Sequence, residues 1–150
     1  MTWYYKNKKV KEPVPESIGF VYCITNLLTQ KKYIGKKLFH FSKTKYKVVK
    51  LKNGNKKRKK IKGTVESDWQ DYYGSSKDLQ ADVEKLGAKN FRRDILYICY
   101  SKAEASYLEA KEQFDRGVLE SDDYYNGIIN VRVGGSKKLR EALLEHGKTK

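Results

Sequence analysis

Two tyrosines stand among several lysines in residues 19–37, GFVYCITNLLTQKKYIGKK. Ten residues separate Tyr22 from Tyr33, with a short polar turn between two apolar runs. A tyrosine hydroxyl, with a pKa of about 10, takes a proton from water at neutral pH only when nearby positive charge lowers that pKa. These residue types indicate proton transfer beside a bound anion. The lysines that flank Tyr33 and suit this role are Lys31, Lys32, Lys36 and Lys37.

The positive charge of the chain is concentrated in one segment. The sequence has 33 lysines and arginines against 18 aspartates and glutamates, a formal net charge of +15. Residues 31–62 hold 15 of the basic residues and no acidic one, so the rest of the chain is neutral. A local positive block on a neutral body predicts binding to nucleic-acid phosphates. A solvated lysine-rich segment and a membrane-surface patch are the alternatives, and the flanking aromatic residues favour nucleic acid.

Two β-prone segments would position the tyrosines. Residues 19–26 and 31–38 are rich in β-branched and aromatic residues, and about four residues join them. This pattern predicts a β-hairpin with Tyr22 and Tyr33 on neighbouring strands. Residues 46–62 alternate weakly around an Asn-Gly pair, so they form either a basic ribbon or a flexible loop. We favour a ribbon that becomes ordered on DNA, because unpaired cations repel one another.

Sequence patterns in the middle of the chain predict two helices and two strands. A capping-box pattern at Ser75 opens a helix that ends at Gly87, and a second pattern at Ser101 opens another helix. Residues 92–100 predict a buried strand, and residues 121–135 predict a turn, a short strand and a turn. The apolar stripe of the second helix is predicted to be Ala103, Tyr107, Ala110 and Phe114.

The terminal sequences predict an N-terminal arm and a C-terminal helix, both belonging to a single domain. Residues 1–17 are polar and contain two prolines, so an extended N-terminal arm is expected. Residues 136–150 predict an amphipathic C-terminal helix with His146 in solvent. A length of 150 residues favours one domain, residues 1–150. The leucines on one side of the C-terminal helix are Leu139, Leu143 and Leu144.

Composition argues against several other classes of protein. A 13% share of aromatic residues favours a folded chain, and no apolar run reaches the roughly 18 residues of a membrane span. The N-terminal sequence lacks the apolar core of a secretory signal, so we expect the protein to remain inside the cell. Cys23 and Cys99 lie in apolar runs, which favours buried free thiols over a disulfide framework.

The order of the motifs resembles the GIY-YIG nuclease family. Its Gly-Ile-Tyr motif is matched by Phe20-Val21-Tyr22, with phenylalanine in place of glycine, and its Tyr-Ile-Gly motif by Tyr33-Ile34-Gly35 at the family's spacing. The segment SYLEAKEQF is similar to the helix that carries the family's metal-binding glutamate, here Glu109. A Tyr-Asn element follows at Tyr125-Asn126. The resemblance covers residues 18–135, and YYGSSKDLQ is similar to phage-encoded stand-alone homing endonucleases of this family.

The resemblance implies an α+β fold and a set of catalytic roles. The expected sheet is small, three-stranded and antiparallel, with helices on its flanks. Tyr22 would be a general base, and Tyr33 would orient the water or the phosphate. Glu109 would bind one Mg²⁺ or Mn²⁺ ion, with water and phosphate oxygens completing its coordination. Asn126 would support the active site, and Asn130 is the competing match.

Two positions depart from the family pattern. No arginine follows the second motif at the family's distance, so Lys43 or Lys45 could supply its charge, or Arg58 could fold back to the site. His40 and Tyr73 are the candidates for an additional catalytic residue. We favour Tyr73 because it directly precedes the matched helix.

The function implied is that of a divalent-metal-dependent DNA endonuclease. One site of this kind would nick DNA, or cut both strands as a homodimer on DNA or in successive events. A phage-encoded enzyme would act in the cytoplasm of its bacterial host. An inactive nucleic-acid-binding module with the same fold, and an RNA-binding protein, are the alternatives. Residues 40–62 would form a basic insertion after the first hairpin. The residues expected to bind DNA are Lys36, Lys37, Lys45, Lys56, Lys57, Arg58, Lys59 and Lys60.

Overall fold

The computed structural model describes residues 2–148 as a main β-sheet, a separate β-ribbon and three α-helices. The main sheet contains β1 (Trp3–Tyr5), β2 (Lys8–Val10), β3 (Gly19–Asn26), β4 (Lys32–Leu38) and β7 (Phe91–Cys99), and the ribbon contains β5 (His40–Lys50) and β6 (Lys56–Glu66). The helices are α1 (Lys77–Leu86), α2 (Lys102–Asp115) and α3 (Lys137–Lys148), with 3₁₀ turns at Trp69–Asp71 and Ala88–Asn90. The predicted α+β class is confirmed. None of the helices within residues 2–148 combines the length and the apolar character required to cross a membrane.

The main sheet is larger than predicted. Its five strands lie in the order β2-β1-β7-β3-β4, and β1 runs parallel to β7 while the other neighbours are antiparallel. The prediction of a three-stranded antiparallel sheet is therefore wrong. The two additional strands lie within residues 1–17, the predicted arm. Each is only three residues long and one is lysine-rich, so neither shows the alternation that predicts a strand.

Trp3 anchors these N-terminal strands in the hydrophobic core. Its side chain is 1% exposed, and its ring meets the rings of Phe20 and Tyr22 edge-on. Its Nε1 donates a hydrogen bond of 2.6 Å to the carbonyl oxygen of Trp69. The buried guanidinium of Arg93 lies 4.6 Å from the same ring. The N-terminal segment is therefore part of the fold rather than an arm.

The predicted hairpin of β3 and β4 is confirmed. Tyr22 lies opposite Gly35, and Ile24 lies opposite Tyr33. The Oδ1 atom of Asn26 accepts hydrogen bonds from two backbone N–H groups in the connecting turn. Because side chains alternate along a strand, neighbouring residues of β3 enter two cores on opposite faces of the sheet. The hairpin thus brings the two tyrosines together on one face.

The basic residues after β4 form a ribbon, not a flexible loop. β5 and β6 pair along their whole length in antiparallel register, from His40 opposite Glu66 to Lys50 opposite Lys56. The turn contains Gly54 with a φ of 86°, a conformation that suits glycine. Nearly every residue of both strands is exposed. That residues 40–62 are an insertion relative to the family stays a prediction.

The helix starts are close to the predicted ones. α1 begins one residue late, because Ser76 rather than Ser75 accepts the hydrogen bond from the backbone N–H of Leu79, at 3.3 Å. α2 begins as predicted, with the Ser101 side chain accepting from the backbone N–H of Glu104 at 3.1 Å. Both helices therefore have the side-chain cap that a serine before the first turn provides.

The predicted apolar stripe of α2 is correct only in part, because Ala110 is buried but both aromatic members are exposed. Tyr107 and Phe114 are 42% and 64% exposed. The buried face includes polar side chains, and Nε2 of Gln113 donates a hydrogen bond to the carbonyl oxygen of Ile34 in β4. Apolar periodicity therefore does not mark the side of α2 that meets the sheet. The buried residues of α2 are Glu104, Ala105, Leu108, Ala110 and Gln113.

The C-terminal helix packs against α2 through part of its predicted face. Leu139 is buried and Leu143 is partly buried, but Leu144 is 60% exposed. His146 is not in solvent as predicted, because its Nε2 atom lies 3.5 Å from the buried carboxylate of Glu104. The contact with Glu104 of α2 holds this histidine at the interface between the two helices. A hydrophobic pattern in the sequence does not reveal that this glutamate is buried. The two predicted free thiols are confirmed, since both described cysteines are buried and unbridged.

Trp3→Ala is expected to lower the free energy of unfolding by about 3–5 kcal/mol, the usual cost of removing a buried tryptophan side chain. Urea denaturation of both proteins measures the difference. Leu28→Ala, at a residue 60% exposed in the β3–β4 turn, is the control and should change stability by less than about 0.5 kcal/mol. Equal midpoints for Trp3→Ala and the native chain would show that the N-terminal strands do not belong to the core.

Candidate active site

Tyr22 lies in the middle of β3 with its ring across Gly35 of β4. The two residues are directly opposite each other, and the Tyr22 side chain is 1% exposed. A Cβ atom at Gly35 would overlap the Tyr22 phenol and would lie 2.6 Å from its Cζ atom. The glycine of the second motif therefore provides the space that the tyrosine of the first motif fills.

Tyr33 lies beside Tyr22, with ring centroids 6.2 Å apart. Its hydroxyl oxygen is 2.8 Å from Oγ of Ser75, in the segment before α1. Gly74 has a φ of 85°, and a Cβ atom there would lie 3.1 Å from two carbons of the Tyr33 ring. Glycine adopts this φ readily and leaves the ring its space. The segment before α1 therefore forms one wall of the tyrosine pair.

The tyrosine that joins the pair is Tyr72, not the predicted Tyr73. The rings of Tyr72 and Tyr22 meet edge-on at 6.1 Å, and Tyr72 helps to raise the pKa of Tyr22. The Tyr73 ring lies 4.4 Å from the guanidinium of Arg93, and its buried hydroxyl has no hydrogen-bond partner within residues 2–148. Arg93 also donates a 2.9 Å hydrogen bond to the Tyr72 carbonyl oxygen. Neighbours in extended backbone point in opposite directions, so motif order alone could not choose between these tyrosines.

Asn126 holds the second motif from the outer edge of β4. Its Oδ1 atom accepts from the backbone N–H of Ile34 at 3.0 Å, and its Nδ2 atom donates to the Ile34 carbonyl oxygen at 2.7 Å. The side chain thus replaces a neighbouring strand between Tyr33 and Gly35. Asn130, the competing match, is exposed. Of the two asparagines, the structure brings Asn126 to the site.

The short strand predicted within residues 121–135 is absent from that part of the described chain. An isolated parallel bridge between Tyr124 and Lys32 stands in its place. The backbone N–H of Tyr125 donates to the Lys32 carbonyl oxygen at 2.7 Å, and the Tyr125 hydroxyl donates to Oδ2 of Asp82 on α1 at 2.6 Å. The bridge, the backbone hydrogen bond and the side-chain hydrogen bond of Tyr125 together place Asn126 without a further strand.

Glu109 of α2 reaches the same edge of β4. The ammonium group and the backbone N–H of Lys36 lie close to its carboxylate, and both favour the charged form. Burial outweighs both effects and raises the pKa of Glu109 above its ordinary value. The Glu109 charge in turn helps to raise the pKa of Tyr22, so the two side chains belong to one site.

The hydroxyl of Tyr22 is protonated at neutral pH. Burial raises its pKa well above the ordinary value, and the neighbouring Tyr72, Tyr33 and Glu109 raise it further. The prediction that nearby lysines lower this pKa is therefore wrong. The aromatic packing that fixes the ring also removes it from the solvent that would stabilise a phenolate.

A cavity of about 390 Å³ opens beside the tyrosines, lined by three lysines and two aromatic rings. Nζ of Lys36 donates to Oγ of Ser106 on α2 at 2.7 Å. Nζ of Lys37 lies 2.7 Å from Oδ1 of Asp68 and 4.0 Å from the centroid of the Tyr72 ring. These two lysines of β4 are the predicted DNA-binding residues that the structure places at the site.

The other predicted cations lie on the ribbon. Lys43, proposed to replace the family arginine, is exposed opposite Gly63 and is not brought to the tyrosines. Arg58 does not fold back, because its guanidinium lies 4.2 Å from the ring centroid of Tyr46 near the ribbon's far end. His40 begins β5 at the opposite end. The remaining predicted DNA-binding residues on the ribbon are Lys45, Lys56, Lys57, Lys59 and Lys60.

Glu109 is the carboxylate at the site that could hold a metal ion. Within residues 2–148, no group of three histidines, cysteines, aspartates or glutamates forms a metal-binding cluster. Magnesium is commonly bound by one or two carboxylates, with water and substrate phosphates completing its coordination. A single half-buried carboxylate beside a lysine-lined cavity fits an ion that binds together with a phosphate.

The family model described as "Putative endonuclease segE, GIY-YIG domain" matches residues 3–129. This match includes both tyrosine motifs, Glu109 and Asn126. The chain therefore belongs to the GIY-YIG nuclease family.

A curated relative supports the same assignment. The chain is 31% identical over 107 residues to a protein of Enterobacteria phage T4 described as "Putative endonuclease segE". The matched region is 71% of this chain and 39% of the phage T4 protein, so this chain spans well under half of its relative's length. No solved structure matches the chain.

Gly35→Ala is expected to lower the free energy of unfolding by about 1–3 kcal/mol, because the added methyl group would collide with the Tyr22 phenol. Gly63→Ala on the ribbon is the matched control, since the nearest atom to its Cβ would be 3.9 Å away. Urea denaturation compares the two variants with the native chain. Equal stability of both variants would mean that the Tyr22 ring does not pack on Gly35.

Glu109→Gln is expected to raise the free energy of unfolding at pH 7, because the folded chain raises the carboxyl pKa and charging it costs stability. Below the unfolded pKa of about 4.3 the glutamate is protonated in both states, so the variant should match the native chain. The difference should open as pH rises above the unfolded pKa and should be complete above the folded pKa. Urea denaturation at several pH values measures it, with Glu84→Gln at an exposed residue as the control. A variant less stable at pH 7 would contradict the raised pKa.

Proposed function

We propose that this protein is a DNA endonuclease that hydrolyses phosphodiester bonds with Mg²⁺ or Mn²⁺. One observation carries the proposal: the Tyr22 ring packs beside Tyr33 and within electrostatic reach of Glu109, and Lys36, which lies close to the Glu109 carboxylate, lines a cavity with two other lysines. Membership in the GIY-YIG family supports this reaction, and the similar phage T4 protein is itself described as an endonuclease. The lysines favour an anionic substrate such as the DNA backbone.

Each side chain at the site has a role that its surroundings support. We assign the Tyr22 hydroxyl to hydrogen-bonding the attacking water, because its proton stays on the phenol in the substrate-free chain. Tyr33 is partly exposed and orients the phosphate. The Lys36 ammonium group offsets the negative charge that grows on the phosphate during attack. Asn126 is a positioning residue that fixes the strand between Tyr33 and Gly35.

Glu109 would hold the divalent cation, which when bound supplies positive charge to the leaving oxygen. The carboxylate must be deprotonated to bind a cation. Because burial raises its pKa, protons and the cation compete for Glu109 over a wider pH range than at an exposed glutamate. The ammonium group and the backbone N–H of Lys36 favour the charged carboxylate and so offset part of the effect of burial.

The number of active sites per chain determines how the DNA is cut. One site per chain acts on one strand at a time, so nicked DNA forms first, and double-strand cleavage requires a homodimer on DNA or successive events. We propose that residues 1–150 act as one domain and that the basic ribbon contributes DNA contacts. The phage origin of the relative supports a homing-type enzyme that acts on DNA in the cytoplasm of a bacterial host.

Supercoiled plasmid is expected to be nicked by this protein with Mg²⁺ or Mn²⁺, and EDTA is expected to stop the reaction. Tyr22→Phe and Glu109→Ala should each lower the rate by about 100-fold or more, because the first removes the hydroxyl assigned to the attacking water and the second removes the carboxylate assigned to the cation. Agarose gels that separate supercoiled, nicked and linear DNA give the rates. The controls are Tyr100→Phe and Glu84→Gln, at an exposed tyrosine and an exposed glutamate, and both should keep full activity.

Two results would overturn the proposal. Plasmid bound but uncut by the native chain with either metal would make the protein a binding module. Cleavage that survives both EDTA and Glu109→Ala would exclude metal-dependent hydrolysis at this site. Circular dichroism of each variant separates loss of activity from loss of fold.

A further inference from the structure

The ribbon of β5 and β6 projects from the main sheet with both faces exposed. Each strand has 11 residues, and nearly all of them are exposed. At about 3.4 Å per residue the ribbon is roughly 35 Å long. A two-stranded ribbon that packs on nothing is marginally stable in water. A ribbon of this length is therefore suited to lie against another molecule.

Cations occupy both faces of the ribbon in equal number. Residues opposite each other across the two strands share a face, so the register assigns each side chain to one face. Each face has five cations, and residues 40–65 contain no acidic residue. The cations of the first face are Lys43, Lys45, Lys47, Lys57 and Lys59. Those of the second face are Lys50, Lys56, Arg58, Lys60 and Lys62.

Two pairs of lysines are directly opposed across the ribbon. Lys47 faces Lys59 on the first face, and Lys50 faces Lys56 on the second. Like charges in this position destabilise a strand pair. A flat polyanion would relieve only the face that it touches. Relief of both pairs requires negative charge on both sides of the ribbon at once.

The groove of a DNA duplex provides this arrangement, since phosphates line both of its walls. The major groove is about 12 Å wide and admits a two-stranded β-ribbon, whereas the minor groove is about 6 Å wide. We propose that the ribbon lies in the major groove of duplex DNA, with the phosphates of the two DNA strands against its two charged faces. The inference rests on the proposed function only in taking duplex DNA as the partner.

The base of the ribbon adjoins the candidate active site. Nζ of Lys37 lies 4.9 Å from the ring centroid of Phe41 at the start of the ribbon and 4.0 Å from that of Tyr72. The same lysine-lined cavity has both rings in its wall. A duplex held at the tyrosines therefore continues directly onto the ribbon. About one helical turn of DNA, roughly 34 Å, matches the length of the ribbon.

The test measures binding to a 30-base-pair duplex by fluorescence anisotropy, in EDTA and over a series of salt concentrations. Lys47→Gln with Lys59→Gln removes one opposed pair, and Lys50→Gln with Lys56→Gln removes the other. Each double variant should reduce the slope of log K against log salt by about 2, because each lysine contributes about 1. Lys8→Gln with Lys9→Gln, on β2 at the far edge of the main sheet, is the control and should leave the slope unchanged.

Competition with groove-binding dyes identifies the groove. The native chain is expected to displace methyl green, which occupies the major groove, and to leave distamycin in the minor groove. A slope that changes with only one of the two pairs would show a ribbon lying flat on DNA and would overturn the proposal. An unchanged slope for both pairs, or displacement of distamycin alone, would also overturn it.

A change in the salt dependence of DNA binding can be distinguished from loss of folding and from loss of cleavage. Removing opposed lysines relieves repulsion, so thermal unfolding of each double variant should occur at or above the native temperature. Binding is measured in EDTA and does not depend on catalysis. If both slopes fall in a protein that cuts no DNA, the ribbon inference holds and the proposed nuclease function fails. If plasmid is cut but neither slope changes, the reverse is true.

Discussion

The packing of the Tyr22 ring on Gly35 is the contact on which the site depends. It fixes the register of β3 and β4, because a shift of one residue would place a side chain where the phenol lies and would turn the tyrosines to the other face. The same register puts Tyr33 beside Tyr22 and places Lys36 of β4 close to the Glu109 carboxylate. The relative positions of the two motifs and of the Glu109 carboxylate therefore all depend on the register of β3 and β4.

Polar side chains, rather than another strand, complete the sheet at β4. Asn126 makes two hydrogen bonds to Ile34, Gln113 adds a third, and the Glu109 carboxylate lies close to Lys36. Backbone groups at a sheet edge need such partners when they are covered. This explains why the buried face of α2 is partly polar. The Glu109 carboxylate lies at this same edge, beside the ammonium group and the backbone N–H of Lys36, and burial raises its pKa in spite of both.

Sequence patterns predicted the parts of the structure that depend on local order. The β3–β4 hairpin and the second helix cap follow from β-branched runs and a serine at the right spacing. Tyr72 was missed because a choice between adjacent tyrosines depends on which one faces the sheet. Trp3 was placed in an arm because its strand is three residues long. The buried side of α2 and the position of His146 depend on polar contacts between elements, which no hydrophobic pattern records.

The two edge strands of the main sheet affect how copies of this chain could assemble. An open strand edge invites pairing with another chain, and proteins block it with polar cover, short strands or lysines. On one side, outer hydrogen-bonding positions of β4 are occupied by Asp123, Tyr125, Asn126 and Gln113. On the other, β2 is three residues long and exposes Lys8 and Lys9. Joining main sheets edge to edge is therefore disfavoured at both sides, so two copies acting on one DNA would have to meet through surfaces other than these edges.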